Sequence, residues 1–148
     1  MKRSVLMAWA IAFLLGAKGP KETAAKEAER LQGTWVVVSG QEDGDKYEGE
    51  YLKGVRVTFS GDECTFNKPL GIKLFTKAPF KLDPTQEPKA IDFDVAGGAK
   101  YLNGIYQLEG DSLRLCIEHI YGDNKRPTEF KAPKGSKRAL ITLRRQGP

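Results

Sequence analysis

Leu31-Gln32-Gly33-Thr34-Trp35-Val36-Val37-Val38-Ser39 divides the chain into two kinds of sequence. Residues 20–31, just before Gln32, are rich in alanine, glutamate and lysine, which favour helix. After it come short segments in which apolar and polar residues alternate. Gly33 breaks the helix at little cost, because glycine tolerates backbone angles closed to other residues. Trp35 and three valines follow, and both residue types favour extended backbone. The stretch predicts the first strand of a barrel, with the Trp35 indole plugging one end.

Towards the amino terminus, Ala24, Ala28 and Leu31 recur at i, i+4 and i+7. So thin an apolar face predicts a short helical lead-in, residues 18–30, lying across the barrel end. Further out, Met1-Lys2-Arg3 precedes an uninterrupted apolar run over residues 5–15, then the small residues Gly16 and Ala17. That is the layout of a secretory signal peptide over residues 1–17, cleaved after Ala17. A membrane span needs about 20 apolar residues, roughly twice this run. No cysteine follows the run to carry a lipid. The expectation is export, to a periplasmic or secreted location.

Towards the carboxyl terminus, Val55-Arg56-Val57-Thr58-Phe59 alternates cleanly, and Cys64-Thr65-Phe66 continues after a Ser60-Gly61-Asp62 turn. Asp43-Gly44 is an earlier turn signal. Residues 72–82 hold Phe75, Phe80 and Leu82, but Pro79 lacks a ladder donor, which predicts an edge, a bulge or two short strands. Ile91-Asp92-Phe93-Asp94-Val95 alternates again. Residues 101–108 and Ser112–Glu118 form the clearest hairpin, around Glu109-Gly110-Asp111. Arg138–Arg145 reads as the last strand. About eight short strands and almost no helix suggest a sandwich or an up-and-down barrel.

Closure into one barrel over residues 31–146 is favoured. Val55/Val57/Phe59, Cys64/Phe66, Ile91/Phe93/Val95 and Leu113/Leu115/Ile117 each present one apolar face, as a single closed sheet requires. Closure also hides strand edges from aggregation. First and last strands then pair, bringing Arg144 or Arg145 to Trp35. A guanidinium over an indole contributes about 0.5–2 kcal/mol.

Gly33-Thr34-Trp35, behind a short helix and with an arginine near the chain end, resembles the Gly-x-Trp signature of lipocalins and their calycin relatives. Lys81-Leu82-Asp83-Pro84, Pro88-Lys89-Ala90-Ile91-Asp92, Gly104-Ile105-Tyr106, Gly110-Asp111-Ser112-Leu113 and Arg126-Pro127-Thr128-Glu129-Phe130 follow in order. The series resembles an uncharacterised family of exported bacterial lipocalin-like domains over nearly all of residues 31–145. The resemblance implies an all-β, antiparallel up-and-down barrel and export, and bears on function by analogy alone. It implies a structural role for Gly33, Trp35 and Arg144 or Arg145.

Lysine and arginine number 24 against 19 acids, a net of +5. Without Lys2 and Arg3 the balance is 22 to 19, or +3. The excess gathers near the end, where Lys125, Arg126, Lys131, Lys134, Lys137, Arg138, Arg144 and Arg145 face Glu129 alone. Lys131, Lys134 and Lys137 predict an exposed, mobile cationic loop suited to an anionic wall polymer or lipid surface. The alternative is an ordinary solvated surface. Nucleic acid is not expected as a partner of an exported chain in which no basic motif is interleaved with aromatics.

The carboxylates at 42, 43, 45, 48 and 50 lack the ligand order of a calcium loop. Cys116-x-x-His119 offers at most two local ligands where structural zinc takes four. Positions three apart on a strand also face opposite sides, which opposes a Cys–His nucleophile pair. His119 is expected at a strand end, exposed to water. No metal, cofactor or enzymatic activity is expected. Cys64 shares a face with Phe66, whereas Cys116 alternates out of phase with Leu113, Leu115 and Ile117, so the pattern favours two free thiols over a disulfide.

Trp35, Val57, Phe59, Phe66, Phe80, Phe93, Tyr106 and Leu115 are the predicted inward residues. They would line a site for a small hydrophobic or aromatic ligand. Equally, they would simply fill a narrow barrel, each buried aromatic covering about 150–250 Å². A monomer that binds a small apolar ligand is the first expectation. An inert barrel serving as an envelope or adhesion module is the second.

Overall fold

In the computed structural model of the chain, residues 20–47, 49–70 and 75–147 are described. The expected signal peptide lies outside them. Helix α1 spans Pro20–Leu31 and stops at Gly33, whose φ of 112° is open to glycine and strained for other residues. The strands are β1 (Gly33–Glu42), β2 (Asp45–Lys46), β3 (Arg56–Ser60), β4 (Glu63–Phe66), β5 (Lys77–Asp83), β6 (Ala90–Asp94), β7 (Tyr101–Glu109), β8 (Ser112–Glu118) and β9 (Arg138–Arg145).

Every neighbouring pair is antiparallel, from β1–β3 round to β8–β9, and β9 pairs back onto β1. Eight strands therefore close an up-and-down barrel, with β2 a two-residue flap hairpinned to the end of β1. This is an all-β architecture consistent with a lipocalin-like fold. Asp43 and Gly44 both take positive φ, as a two-residue hairpin loop of matching twist requires.

Pro79 does not divide its strand, contrary to expectation. Phe80 N–H donates to Asp62 O, so the adjacent Pro79 nitrogen points the other way, towards β6. The β5–β6 ladder begins only at Phe80–Phe93, so no hydrogen bond is missed there. β5 runs unbroken through the proline.

The barrel has two unlike ends. One carries α1 and short turns. Leu31 of α1 is buried in the core, and Gln32 clamps the β3–β4 turn by accepting from Gly61 N and donating to Gly61 O. The helix buries a carboxylate too: Glu27 pairs with Lys89 and with Arg30 (3.0 Å) and accepts from the Tyr106 hydroxyl at 3.4 Å. The other end gathers the longer connections, around Leu52, Leu70, Phe75, Val95 and Ile120.

Residues 119–137 run back along the outer wall as a strap. Arg126 anchors it, donating to Gly104 O (2.8 Å) and pairing with Asp92 (2.8 Å). Beneath the strap Ile105 and Cys116 are buried although they face away from the barrel axis. This second small apolar layer explains why an outward cysteine is not wet.

Candidate functional site

Barrel closure occurs where Trp35 of β1 stands opposite Arg145 of β9. The indole is fully buried and donates from Nε1 to Leu31 O at 2.9 Å. Arg145 lies over its ring, whereas Arg144 is exposed. The choice between the two arginines falls to Arg145, because strand alternation turns its neighbour out to solvent.

Trp35, Val57, Phe59, Phe66, Phe80, Phe93, Tyr106 and Leu115 all lie in one core cluster, none more than 6% exposed. Their rings touch. Phe59 meets Phe80 edge-on at 5.2 Å, and Phe75 joins Phe66 (5.4 Å) to Phe93 (4.6 Å). Of the eight, Tyr106 alone lines any of four clefts of 230–620 Å³, which open on the outer wall or at the barrel ends. Side chains, packed at ordinary interior contact, occupy the axis.

Sequence reading missed a polar cluster inside the open end. A bulge between Val37 and Ser39 leaves Val38 exposed and shifts the alternation, so that Gly40 and Glu42 turn inward opposite Ile141 and Ala139. Tyr47 folds onto Gly40, where an added Cβ would sit 2.5 Å from the ring, and its hydroxyl donates to Glu42. Burial first, then the Glu42 carboxylate, raises the Tyr47 pKa well above its usual value. His119 Nε2 lies 3.2 Å from the same carboxylate. His119 is 1% exposed, which corrects the expectation of a water-exposed histidine. No two-residue alternation rule could have found it, because the bulge and the strap bring these groups together.

Cys64 faces the core and Cys116 the strap, both as free thiols. Cys116 Sγ donates to Lys131 O at 3.4 Å. Among the described residues no three histidine, cysteine, aspartate or glutamate side chains converge as a metal site.

Lys131, Lys134 and Lys137 are exposed, but their loop is docked. Gly44 N donates to Ala132 O (2.7 Å), Lys137 N to the Asp43 carboxylate (2.9 Å), and Ser136 N to Pro133 O (3.0 Å). The backbone that carries the lysines is thereby tied to the β1–β2 hairpin. That corrects the expected mobile loop. Among the described residues the loop's ion pair is a loose one, Lys131 to Glu129 at 3.8 Å, with both side chains largely in water.

No protein-family model, curated protein or solved structure matches the chain. The closed antiparallel barrel is compatible with a lipocalin-like fold.

Proposed function

We propose that the chain is an exported, non-catalytic barrel that acts as an interaction module. Its docked basic turn would meet an anionic envelope polymer or surface. The supporting observation is the combination of a filled axis with Lys131, Lys134 and Lys137 displayed on a fixed backbone. A rigid display lowers the ordering cost of binding. Screened attraction of this kind weakens with salt.

The test is cosedimentation of the protein purified from its host with phosphatidylglycerol vesicles, and its retention on immobilised polyphosphate. Replacing Lys131, Lys134 and Lys137 by glutamine should weaken binding on the order of a hundredfold, taking about 1 kcal/mol per lysine. Unchanged binding would reject the reading.

A small hydrophobic or aromatic ligand in the barrel is the second reading. It is favoured by the apolar ring of Leu52, Leu70, Phe75, Val95 and Ile120 at the open end. Entry would require Phe75 to leave its contacts with Phe66 and Phe93. Native mass spectrometry of host-purified protein decides it: a retained apolar molecule supports the chamber, and the bare chain mass counts against it.

A further inference from the structure

The largest of these clefts, about 620 Å³, lies away from the basic turn, on the outer wall of β5, β6 and β7. Its floor is a cross-strand row in which Lys81 stands opposite Asp92 and Asp92 opposite Asn103. Directly paired residues on one face are about 4.5–5.5 Å apart, close enough to contact one small molecule together. The 95–100 turn forms one wall and brings in Lys100 next to Tyr101. The Asp94 carboxylate shapes that turn by accepting from Ala96 N (3.2 Å) and Gly98 N (2.7 Å). The strap forms the other wall and contributes Asn124.

The planar polar groups here are each held by one atom and leave another unused. Asp92 Oδ1 takes Arg126 at 2.8 Å, and no partner holds Oδ2 among the described residues. Asn103 Nδ2 donates to Glu118 Oε1 (2.9 Å) and to Asn124 Oδ1 (3.3 Å), which leaves Asn103 Oδ1 and Asn124 Nδ2 available. Behind this pair, Glu118 is 2% exposed and its Oε2 has no hydrogen-bond partner among the described residues. The row is fixed from behind and leaves its front atoms facing the open cleft. Such a set of donors and acceptors is prepared for a ligand rich in hydroxyls.

Two further features narrow the class. Tyr101, on the same face as Asn103, supplies an aromatic surface against which an apolar ring face can pack. Lys81 and Lys100 have no carboxylate partner among the described residues; the Lys100 ammonium donates to the neutral carbonyl of Ile120. Arg126 offsets Asp92, and the Asp94 carboxylate is taken up by the Ala96 and Gly98 amides, so Lys81 and Lys100 are the ammonium groups left to face an anionic ligand. We infer that this cleft is a binding site for an acidic saccharide. A sugar ring would stack on Tyr101, its hydroxyls would pair with Asp92, Asn103 and Asn124, and its carboxylate would face Lys81 and Lys100.

The test uses the full chain as purified from its host, labelled with nitrogen-15 and titrated with trigalacturonate and, separately, with neutral galactotriose. Trigalacturonate should shift the amides of residues 99–103 and the side-chain amides of Asn103 and Asn124. It should bind at least about tenfold more tightly than galactotriose. Tyr101→Ala should weaken binding by about tenfold or more, and Lys81→Glu, at an exposed position, should erase the acidic preference. The glutamine variant of Lys131, Lys134 and Lys137 should bind trigalacturonate unchanged, which separates this site from the basic turn. Absence of saturable shifts up to about 10 mM would overturn the inference. So would equal affinity for the neutral sugar, or shifts centred on residues 131–137 that vanish in the triple variant.

Discussion

The guanidinium carbon of Arg145 lies 4.3 Å from the centre of the Trp35 ring, while its terminal nitrogens donate to Arg30 O (2.6 Å) and Gln32 O (2.9 Å). One side chain thus covers the indole and satisfies carbonyls that the end of α1 leaves open. Loss of both roles in Arg145→Ala should cost about 1–3 kcal/mol in urea unfolding. Lysine should restore only part of it, since a single ammonium nitrogen lacks the planar guanidinium that reaches both carbonyls from separate nitrogens while covering the ring. Arg144→Ala should stay within about 0.5 kcal/mol.

Packing along the axis predicts large costs for truncation. Phe93→Ala and Leu115→Ala should each destabilise by about 2–5 kcal/mol, the loss of burial plus the cavity left behind. A cost below about 1 kcal/mol at both sites would mean that the axis already holds slack space, and would restore the chamber reading.

Burial pushes the pKa of the Cys64 thiol far above its usual value, and pushes that of Cys116 up as well despite its bond to Lys131 O. Thiolate is the reactive form, so both thiols should resist a disulfide reagent at mild alkaline pH and react together after unfolding in urea. Rapid labelling of Cys116 in the native protein would show that the strap opens.

The same logic sets an alkaline limit. Tyr47 and Tyr106 are raised by burial first and by the carboxylates of Glu42 and Glu27 next; Cys64 and Cys116 are raised by burial. In the unfolded chain these groups lose protons near their ordinary values, about 8.5 for thiols and 10 for tyrosines. The folded state then holds more protons, so stability is full below that range and falls as pH rises through it. Urea midpoints should decline above about pH 9, and Tyr47→Phe should flatten part of the decline.

Gly44 tests the docking of the basic turn. Its φ is 90°, and an added Cβ would lie 2.8 Å from Lys134 N. Gly44→Ala should strain the hairpin and lift residues 131–137 from it. Trypsin should then cut after Lys131 and Lys134 faster than in the parent, with the far-ultraviolet circular dichroism of the barrel retained.

Much of this was legible in the residues. A period of two assigns faces strand by strand, which is why the eight inward side chains, the outward Cys116 and the β7–β8 hairpin were readable. The Gly33 break and the return of the last strand to Trp35 were readable too, since a closed sheet leaves its terminal strands no other neighbours. The rules failed where one residue changed the phase. The bulge after Val37 turned Glu42 inward, and Glu27 is held in the interior by an ammonium and a hydroxyl that lie 62 and 79 residues further along, on Lys89 and Tyr106.

Sequence by itself determined the barrel, its closure and which side chains face inward, because backbone preference and alternation act between near neighbours; that those side chains fill the axis came from their packing. Tertiary structure alone decided that His119 is buried against Glu42, that the lysine turn is docked, and that Lys81, Asp92 and Asn103 share a floor. Those placements depend on register and on where a strap of nineteen residues, 119–137, comes to rest, and both are set by contacts between segments far apart in the chain.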